Sequence, residues 1–325
     1  MATRAKPIVA GLELVPETEP QWTALGRYGR SNIVVTMFLV AGWFILLTAM
    51  DNAHLPLSLR AVTTVLFCLM MQGVFTMIHE YCHRNAHRGP RIAYAIGWVT
   101  STVFITAPTF MLVQHWGHHR RNRTEAERAE FIQDGENVVR KWLQYYFAVF
   151  GGLWLSSVFF PVISILLPYR WARWLTIDAR FNSYSAAFQD FDSREWLRLR
   201  IEGAVLVLMW AVMLRYGPWH WQTLAIAYGA FAFSWSSLQW VYHLWTPLHV
   251  IEGAYNLRAP WIVRVLFLNF NYNLTHHRHP SIPWQELYRR SDPKETQPLW
   301  YRYARVVLPP VPFPSDQSIL EKRYF

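Results

Sequence analysis

The chain has 325 residues, of which 53% are hydrophobic and only 16% are charged, and it carries 18 tryptophans. These proportions exclude a pair of ordinary water-soluble domains and indicate a single membrane-embedded unit, residues 1–325. Two cysteines, Cys68 and Cys82, are too few for a disulfide framework or a four-cysteine iron–sulfur site. The net charge of +10 is spread among aromatic and aliphatic residues, which argues for a membrane protein's cytoplasmic face and against nucleic acid as a partner.

Apolar stretches predict four membrane-spanning helices. Residues 1–31 are polar and lack the pattern of a cleaved signal peptide, so we predict a cytoplasmic lead-in there. Residues 32–50 and 58–78 are each about long enough to cross a bilayer, and the short link between them predicts a hairpin. Residues 201–216 and 219–240 repeat this plan, and residues 291–325 form a predicted cytoplasmic tail.

Lysine and arginine set the predicted orientation, because short outside loops carry few of them. Neither hairpin tip has one, whereas the segments 84–91, 120–141 and 169–200 are all basic. We therefore place these segments and both termini in the cytoplasm. The apolar stretches 92–113 and 143–167 should then be re-entrant or interfacial, because a single crossing would put the histidine clusters or a basic loop on the wrong side.

Three histidine clusters interrupt this apolar pattern. His79 and His83 are four residues apart and would share one face of a helix, and His115 and His119 repeat that spacing. His118 belongs to the second cluster as well, and His276-His277 form the third. Imidazole suits iron, zinc, copper and nickel, and packing so many imidazoles together without a metal is costly. The clusters predict ligands for two metal ions.

The clusters and their position between the hairpins resemble the three histidine boxes of the membrane fatty acid desaturase and hydroxylase superfamily. The resemblance covers roughly residues 32–284. It implies an all-α integral membrane fold with a cytoplasmic histidine-rich cap, two non-haem iron ions, O2 as co-substrate and an acyl substrate. It also implies a further ligand, His243, preceded four residues earlier by the amide of Gln239.

The predicted metal ligands are imidazoles throughout: His79, His83, His87, His115, His118, His119, His243, His276 and His277. Other polar residues are predicted to orient these ligands or to act through water: Asn273, Gln239, His249, His279, Glu80 and Glu252. Asn273 stands where the family has histidine or glutamine, which leaves one ligand open. The surplus histidines His87, His249 and His279 could replace it or orient a neighbour.

The resemblance favours desaturation of a fatty acyl chain, and hydroxylation or oxidative decarboxylation to a 1-alkene uses the same ligands. A different class remains open, because His79-Glu80-Tyr81-Cys82-His83 also satisfies the HExxH pattern of zinc proteases. The chain has no flavin fingerprint and no cysteine cluster. An oxygenase would therefore need an external electron donor, such as ferredoxin, rubredoxin or cytochrome b5 with its reductase. We expect the arginines that flank the boxes to form its docking surface: Arg88, Arg91, Arg120, Arg121, Arg123, Arg289 and Arg290.

Overall fold

A computed structural model describes residues 25–174 and 188–313, and these form an all-α fold, as predicted. Most of the predicted lead-in and the end of the predicted tail lie outside the described residues. The helices, in chain order, are α1 (Leu25–Asp51), α2 (Leu57–Cys82), α3 (Pro90–Phe104), α4 (Pro108–Arg121), α5 (Val138–Phe147), α6 (Leu153–Leu166), α7 (Tyr169–Trp174), α8 (Ser193–Tyr216), α9 (Trp221–Val241), α10 (Trp261–Leu266), α11 (Asn273–Arg278), α12 (Trp284–Arg290) and α13 (Leu299–Arg305).

Short non-helical elements join these helices near the histidine clusters. Two parallel strand pairs occur in the described part of the chain: β1 (Phe131–Ile132) with β4 (Val311–Pro312), and β2 (Asn256–Arg258) with β3 (Thr296–Pro298). Each pair brings a segment of the C-terminal region against a loop that follows a cluster-bearing helix. The strands are too short to form a separate layer.

Three stretches are long and apolar enough to cross a membrane: Tyr28–Asp51, Leu57–Cys82 and Val138–Leu166. The first two form the predicted first hairpin. The third differs from the prediction of a re-entrant or interfacial segment, because it is helical almost throughout and broken only near Gly151, where φ is 129°. The chain is therefore an integral membrane protein by the length and composition of its helices.

The predicted second hairpin is present as two long helices, α8 and α9. Neither meets the combined length, hydropathy and charge criteria that the three stretches meet. Helix α8 begins with several charged residues, and α9 contains several tryptophan, serine and glutamine residues. Apolar residues of α8 nevertheless face outward, including Ile201, Leu208 and Leu214. Trp210 of α8 contacts Tyr228 of α9, with ring centroids 5.6 Å apart.

The stretch predicted at residues 92–113 is a bent pair, α3 and α4, whose axes meet at 92°. The chain turns at Ile105, which is left-handed, and Pro108 starts α4 because its missing N–H costs nothing in the first turn. A break of this kind is either a broken span or a re-entrant loop, and the predicted re-entrant course is one of these two. The second cluster therefore lies at the far end of α4.

A buried carboxylate fixes the start of α4. Glu202 of α8 accepts hydrogen bonds from the backbone N–H of Thr109 at 2.8 Å and from its hydroxyl at 2.8 Å. It also accepts one from Tyr94 of α3 at 2.9 Å, and it pairs with Arg198 at 3.0 Å. An anion at a helix N-terminus accepts hydrogen bonds from free N–H groups and interacts favourably with the positive end of the helix dipole. Glu202 therefore holds both arms of the bend in place.

Candidate metal centre

Eight of the nine predicted histidine ligands converge in two adjoining groups. The five-histidine group consists of His79, His83, His115, His119 and His276, and the three-histidine group consists of His118, His243 and His277. Within each group the candidate ligand nitrogens all lie within 4.8 Å of one another. The rings of His119 and His277 join the groups, with centroids 4.6 Å apart. Four separate parts of the chain thus build one compact centre.

The end of α2 supplies two ligands of the five-histidine group. His79 lies in the last turn of α2, and His83 is the residue that ends it. The predicted spacing of four residues puts both rings on one side, with centroids 4.6 Å apart. Both side chains are buried.

The nitrogen positions in the five-histidine group fit a metal ion. His79 Nε2 lies 3.0 Å from His276 Nε2, and His119 Nε2 lies 3.0 Å from His115 Nε2 and 3.1 Å from His276 Nε2. Two imidazole nitrogens bound to one ion at about 2.1 Å and at right angles are about 3.0 Å apart. Facing Nε2 atoms can share at most one proton. Hydrogen bonds alone therefore cannot satisfy all five nitrogens, whereas a cation can.

The three-histidine group is oriented through its other ring nitrogens. His118 Nδ1 lies 2.6 Å from a carboxylate oxygen of Glu127, and His243 Nδ1 donates to the carbonyl oxygen of Gly253 at 2.8 Å. In both residues Nε2 is the nitrogen that can bind a metal, and that of His243 also lies 3.1 Å from Asn273 Nδ2. Such partners fix the tautomer and the ring orientation of metal-binding histidines. The donor set and its orientation fit a second metal ion.

Burial favours the neutral imidazole, which is the form that binds metal, at His243, His276 and His277. Burial lowers the pKa of His243 well below its usual range, and neighbouring His118 lowers it further. Burial has the same effect on the pKa of His276 and His277, reinforced by the nearby imidazoles. These side chains therefore offer lone pairs at neutral pH.

A remote asparagine anchors the helix that carries the third cluster. Helix α11 has only six residues, so it depends on its surroundings for stability. The side chain of buried Asn256 accepts a hydrogen bond from Thr275 N at 3.0 Å and donates one to Thr275 Oγ1 at 3.0 Å. Asn256 belongs to β2, which pairs with β3. This contact sets the position of His276 and His277, the next two residues.

A buried ion pair supports the loop that holds His243. Arg123 and Glu130 pair closely, and both side chains are only 1% exposed. Glu130 also accepts a hydrogen bond from Trp245 N at 2.9 Å, and Arg123 donates to the carbonyl oxygen of Thr246 at 3.2 Å. The segment after α4 is thereby tied to the segment after α9.

Three predicted histidines lie outside both groups. His87 precedes α3, and its Nδ1 accepts a hydrogen bond from Gly89 N at 2.8 Å. His249 is exposed and its Nδ1 accepts from Ile251 N at 3.2 Å. His279 is exposed at the end of α11. The structure places none of the three in either histidine group.

The predicted polar residues take different positions. Asn273 adjoins the three-histidine group, with its Nδ2 3.1 Å from His243 Nε2. Gln239 lies one turn before His243, and its Nε2 is buried without a hydrogen-bond partner among the described residues. Glu252 pairs with Arg278 at 2.6 Å, which lowers its pKa. Glu80 is buried near the backbone N–H of Trp284.

Three of the arginines expected to form a docking surface pair with carboxylates of the protein itself. Arg120 and Arg121 both pair with Asp190, and Arg123 is the buried partner of Glu130. Arg289 and Arg290, at the end of α12, are exposed. A count of charges along the sequence does not reveal which of them meet a carboxylate in the fold.

Sequence reasoning missed Glu127, Gly253 and Asn256, which orient the ligands. Glu127 lies nine residues after His118, and its acidic character was the only available signal. Gly253 acts through its backbone, and Asn256 acts across 19 residues. Neither contact follows from residue type.

A comparison with protein-family models gives one match, to the model described as fatty acid desaturase, over residues 56–306. A search of curated proteins found no match. The matched residues include both histidine groups and most of the helices described above. By its histidine centre, its apolar helices and this match over most of its length, the chain belongs to the membrane fatty acid desaturase and hydroxylase family of oxidoreductases.

Proposed function

We propose that this protein is an O2-dependent di-iron enzyme that introduces a double bond into a fatty acyl chain. The observation that carries the proposal is the division of eight converging histidines into a group of five and a group of three. Each group has at least three candidate ligand nitrogens within 4.8 Å of one another. The family supplies the substrate class.

The five-histidine group would hold one iron ion, and the three-histidine group would hold the other. Two bound iron ions would supply the reduction of O2 and the removal of hydrogen from an unactivated C–H bond. The Asn273 amide lies beside the smaller group, where fewer histidines are present, with its Nδ2 toward His243. Turning the amide by 180° would present its oxygen instead. We propose that it completes this site directly or through a water.

Aromatic side chains pack against the ligands of the five-histidine group and keep water away from them. Phe75 and Phe270 lie against His79, with ring centroids 6.3 and 4.8 Å from it. Trp116 lies 5.0 Å from His83. These rings exclude water from one side of the five-histidine group, which protects a reactive oxidant from side reactions.

The arrangement of the eight histidines does not favour the alternative hypothesis of an HExxH zinc protease. In that class two histidines of HExxH and one further ligand bind a single ion, and the glutamate activates its water. Here His79 and His83 converge with three other histidines, and a second group adjoins them. Such a protease would leave most of these nitrogens without a role.

We also propose that the centre lies on the cytoplasmic side, where it would meet an acidic external electron donor. Arg289 and Arg290 are exposed on α12, which is close in sequence to the third cluster. Changing both to glutamate should slow turnover with the donor most at low salt, because screening weakens steering between opposite charges.

The experiment that tests the proposal is lipid analysis after expression. Cells that make the wild-type chain should gain unsaturated acyl chains under air, and cells that make His277→Ala should not. An equal lipid profile in both strains would overturn the proposed activity. Gain of hydroxylated chains or of 1-alkenes would keep the centre and replace desaturation by one of the related reactions.

A further inference from the structure

The segment between β2 and the third histidine cluster lies beside a membrane-spanning helix. It contains α10, which ends at Leu266, and a short non-helical stretch that follows it. A Cβ added at Gly73 of α2 would lie 2.6 Å from the carbonyl oxygen of Leu266 and 3.2 Å from Leu39 Cδ2 of α1. The backbone of the segment can approach α2 this closely because glycine has no side chain. We call residues 260–269 the α10 loop.

The position of Gly73 along α2 gives the depth of the α10 loop. Helix α2 has 26 residues and ends at Cys82, beside His83. It is about 39 Å long, so when it is centred in a hydrocarbon core of about 30 Å it projects about 5 Å on each side. Gly73 lies about 14 Å from the Cys82 end. The Leu266 carbonyl beside it is therefore about 9 Å inside the hydrocarbon, on the side of the histidine centre.

The backbone of the α10 loop is arranged as hydrocarbon requires. In a bilayer, irregular backbone is tolerated only where protein buries it, and the non-helical residues Phe267 and Leu268 are buried. The carbonyl oxygen of Phe267 accepts a hydrogen bond from Thr76 Oγ1 of α2 at 2.9 Å. The backbone N–H of Asn269 donates to the carbonyl oxygen of Arg264 at 2.9 Å. The irregular part thus packs against α2, and the helical part carries the exposed side chains.

The most exposed side chains of α10 are large and apolar. Trp261, Ile262 and Val265 are 70%, 47% and 54% exposed, and they lie within about 100° around the helix. At the same level of α1, Phe38 adjoins Leu39 and is also exposed. The apolar face of α10 therefore continues the lipid-facing side of a spanning helix, at a depth where acyl chains surround the protein.

The one charged residue of α10, Arg264, is directed to α12. Its guanidinium lies over the ring of Tyr288, 3.9 Å from the ring centre. Helix α12 begins at Trp284, whose Nε1 donates to Asn32 Oδ1 at 3.0 Å near the start of α1. Long arginine side chains reach in this way toward the polar boundary of a membrane. Arg264 thus fits a loop that is anchored at this boundary and inserted beyond it.

We propose that the α10 loop inserts Trp261, Ile262 and Val265 among the phospholipid acyl chains of the leaflet on the side of the histidine centre. The insertion holds whatever reaction the centre carries out. Hydropathy along the sequence does not reveal it, because a helix of six residues is too short to span a membrane. Asn273, the first residue of α11, follows the loop closely, so the third cluster enters the centre from the membrane.

The test places spin labels on the purified full-length protein in discs of phosphatidylcholine bilayer. It compares the collisions of each label with O2, which concentrates in hydrocarbon, and with a water-soluble nickel chelate. Cys68 and Cys82 are buried, so labelling of the wild type gives the background. Labels at Ile262→Cys and Val265→Cys should collide mainly with O2.

Two labelled controls calibrate the ratio of O2 to nickel collisions. Phe38→Cys lies on α1 within a span and reports hydrocarbon, and Lys294→Cys, exposed just before β3, reports water. Both labels on the α10 loop should match Phe38→Cys, with a ratio several times that of Lys294→Cys. A ratio equal to that of Lys294→Cys would overturn the insertion. Low collision rates with both reagents would mean that protein covers the loop, and this would overturn it too.

A second measurement uses the cost of a charge in hydrocarbon. Ile262→Asp should lower the midpoint of thermal unfolding in the same discs. Ile262→Ala, which stays apolar, and Lys294→Asp, which puts the same carboxylate in water, should leave it near the wild-type value. An unchanged midpoint in Ile262→Asp would contradict the insertion, and so would an equal loss in Ile262→Ala, which would assign the effect to packing within the protein. Neither readout depends on iron or turnover, so a negative result leaves the proposed function standing.

Discussion

Single hydrogen bonds to Nδ1 determine how the imidazole rings of the three-histidine group are oriented. Changing Glu127 to alanine removes the partner of His118 Nδ1, which lies 2.6 Å away. We expect iron affinity or activity to fall about 10–100-fold, the usual cost of losing such a partner. Metal analysis and turnover of the purified variant measure this directly.

Glu125→Ala is the control for that change, because Glu125 lies two residues earlier, and its carboxylate pairs only loosely with Arg128, at 3.5 Å. It should leave iron content and turnover unchanged. Iron content and turnover at wild-type levels in Glu127→Ala would show that the hydrogen bond to His118 does not hold the metal site.

Substitution of Asn273 tests whether its side chain completes the three-histidine site. Its amide lies 3.1 Å from His243 Nε2, and the three-histidine group has fewer nitrogens than its neighbour. Asn273→Ala should reduce turnover strongly while the fold and most of the iron remain. Asn273→His, which restores a ligand nitrogen, should recover part of the activity. An alanine variant with the wild-type rate would place this side chain outside the working site.

At the scale of elements, the bend between α3 and α4 depends on Glu202. Glu202→Ala leaves the N–H of Thr109 and the hydroxyl of Tyr94 without their acceptor. The free energy of unfolding should drop by about 1–3 kcal/mol, and histidines at the other end of α4 should lose alignment. Thermal unfolding and iron content measure the two effects.

Arg198→Ala is the matched control for the bend, because it removes a half-exposed partner of Glu202 and leaves the contacts to α4 in place. It should cost less than about 1 kcal/mol. A loss as large as that of Glu202→Ala would show that the ion pair, and not the cap of α4, supports the bend.

The pair Arg123–Glu130 tests how buried charge supports the loop around His243. Arg123→Met alone leaves the Glu130 carboxylate buried without its cation, and such a change typically costs about 3–5 kcal/mol. The double variant Arg123→Met with Glu130→Met should be more stable than either single one. Single variants no less stable than the double one would show that the two charges do not depend on each other.

The elements also show what sequence could and could not predict. The spacing of His79 and His83 within one helix required only local geometry, and all eight family-matched histidines converge. Glu127, Asn256 and the partners of Arg123 act through turns and loops whose course is set by distant packing. Hydropathy predicted α8 and α9 as spans and residues 143–167 as re-entrant or interfacial. The helices long and apolar enough to cross a membrane nevertheless include Val138–Leu166 and not α8 or α9.

For the whole molecule, the central claim is that the two histidine groups bind two iron ions. The most direct measurement is the metal content of the purified full-length protein, made without added metal and compared with His118→Ala and His276→Ala, one from each group. The wild type should contain about two iron ions per chain, and each variant should lose iron and turnover. A wild type that is active with one zinc ion and no iron, or variants that keep all iron and full turnover, would contradict the account.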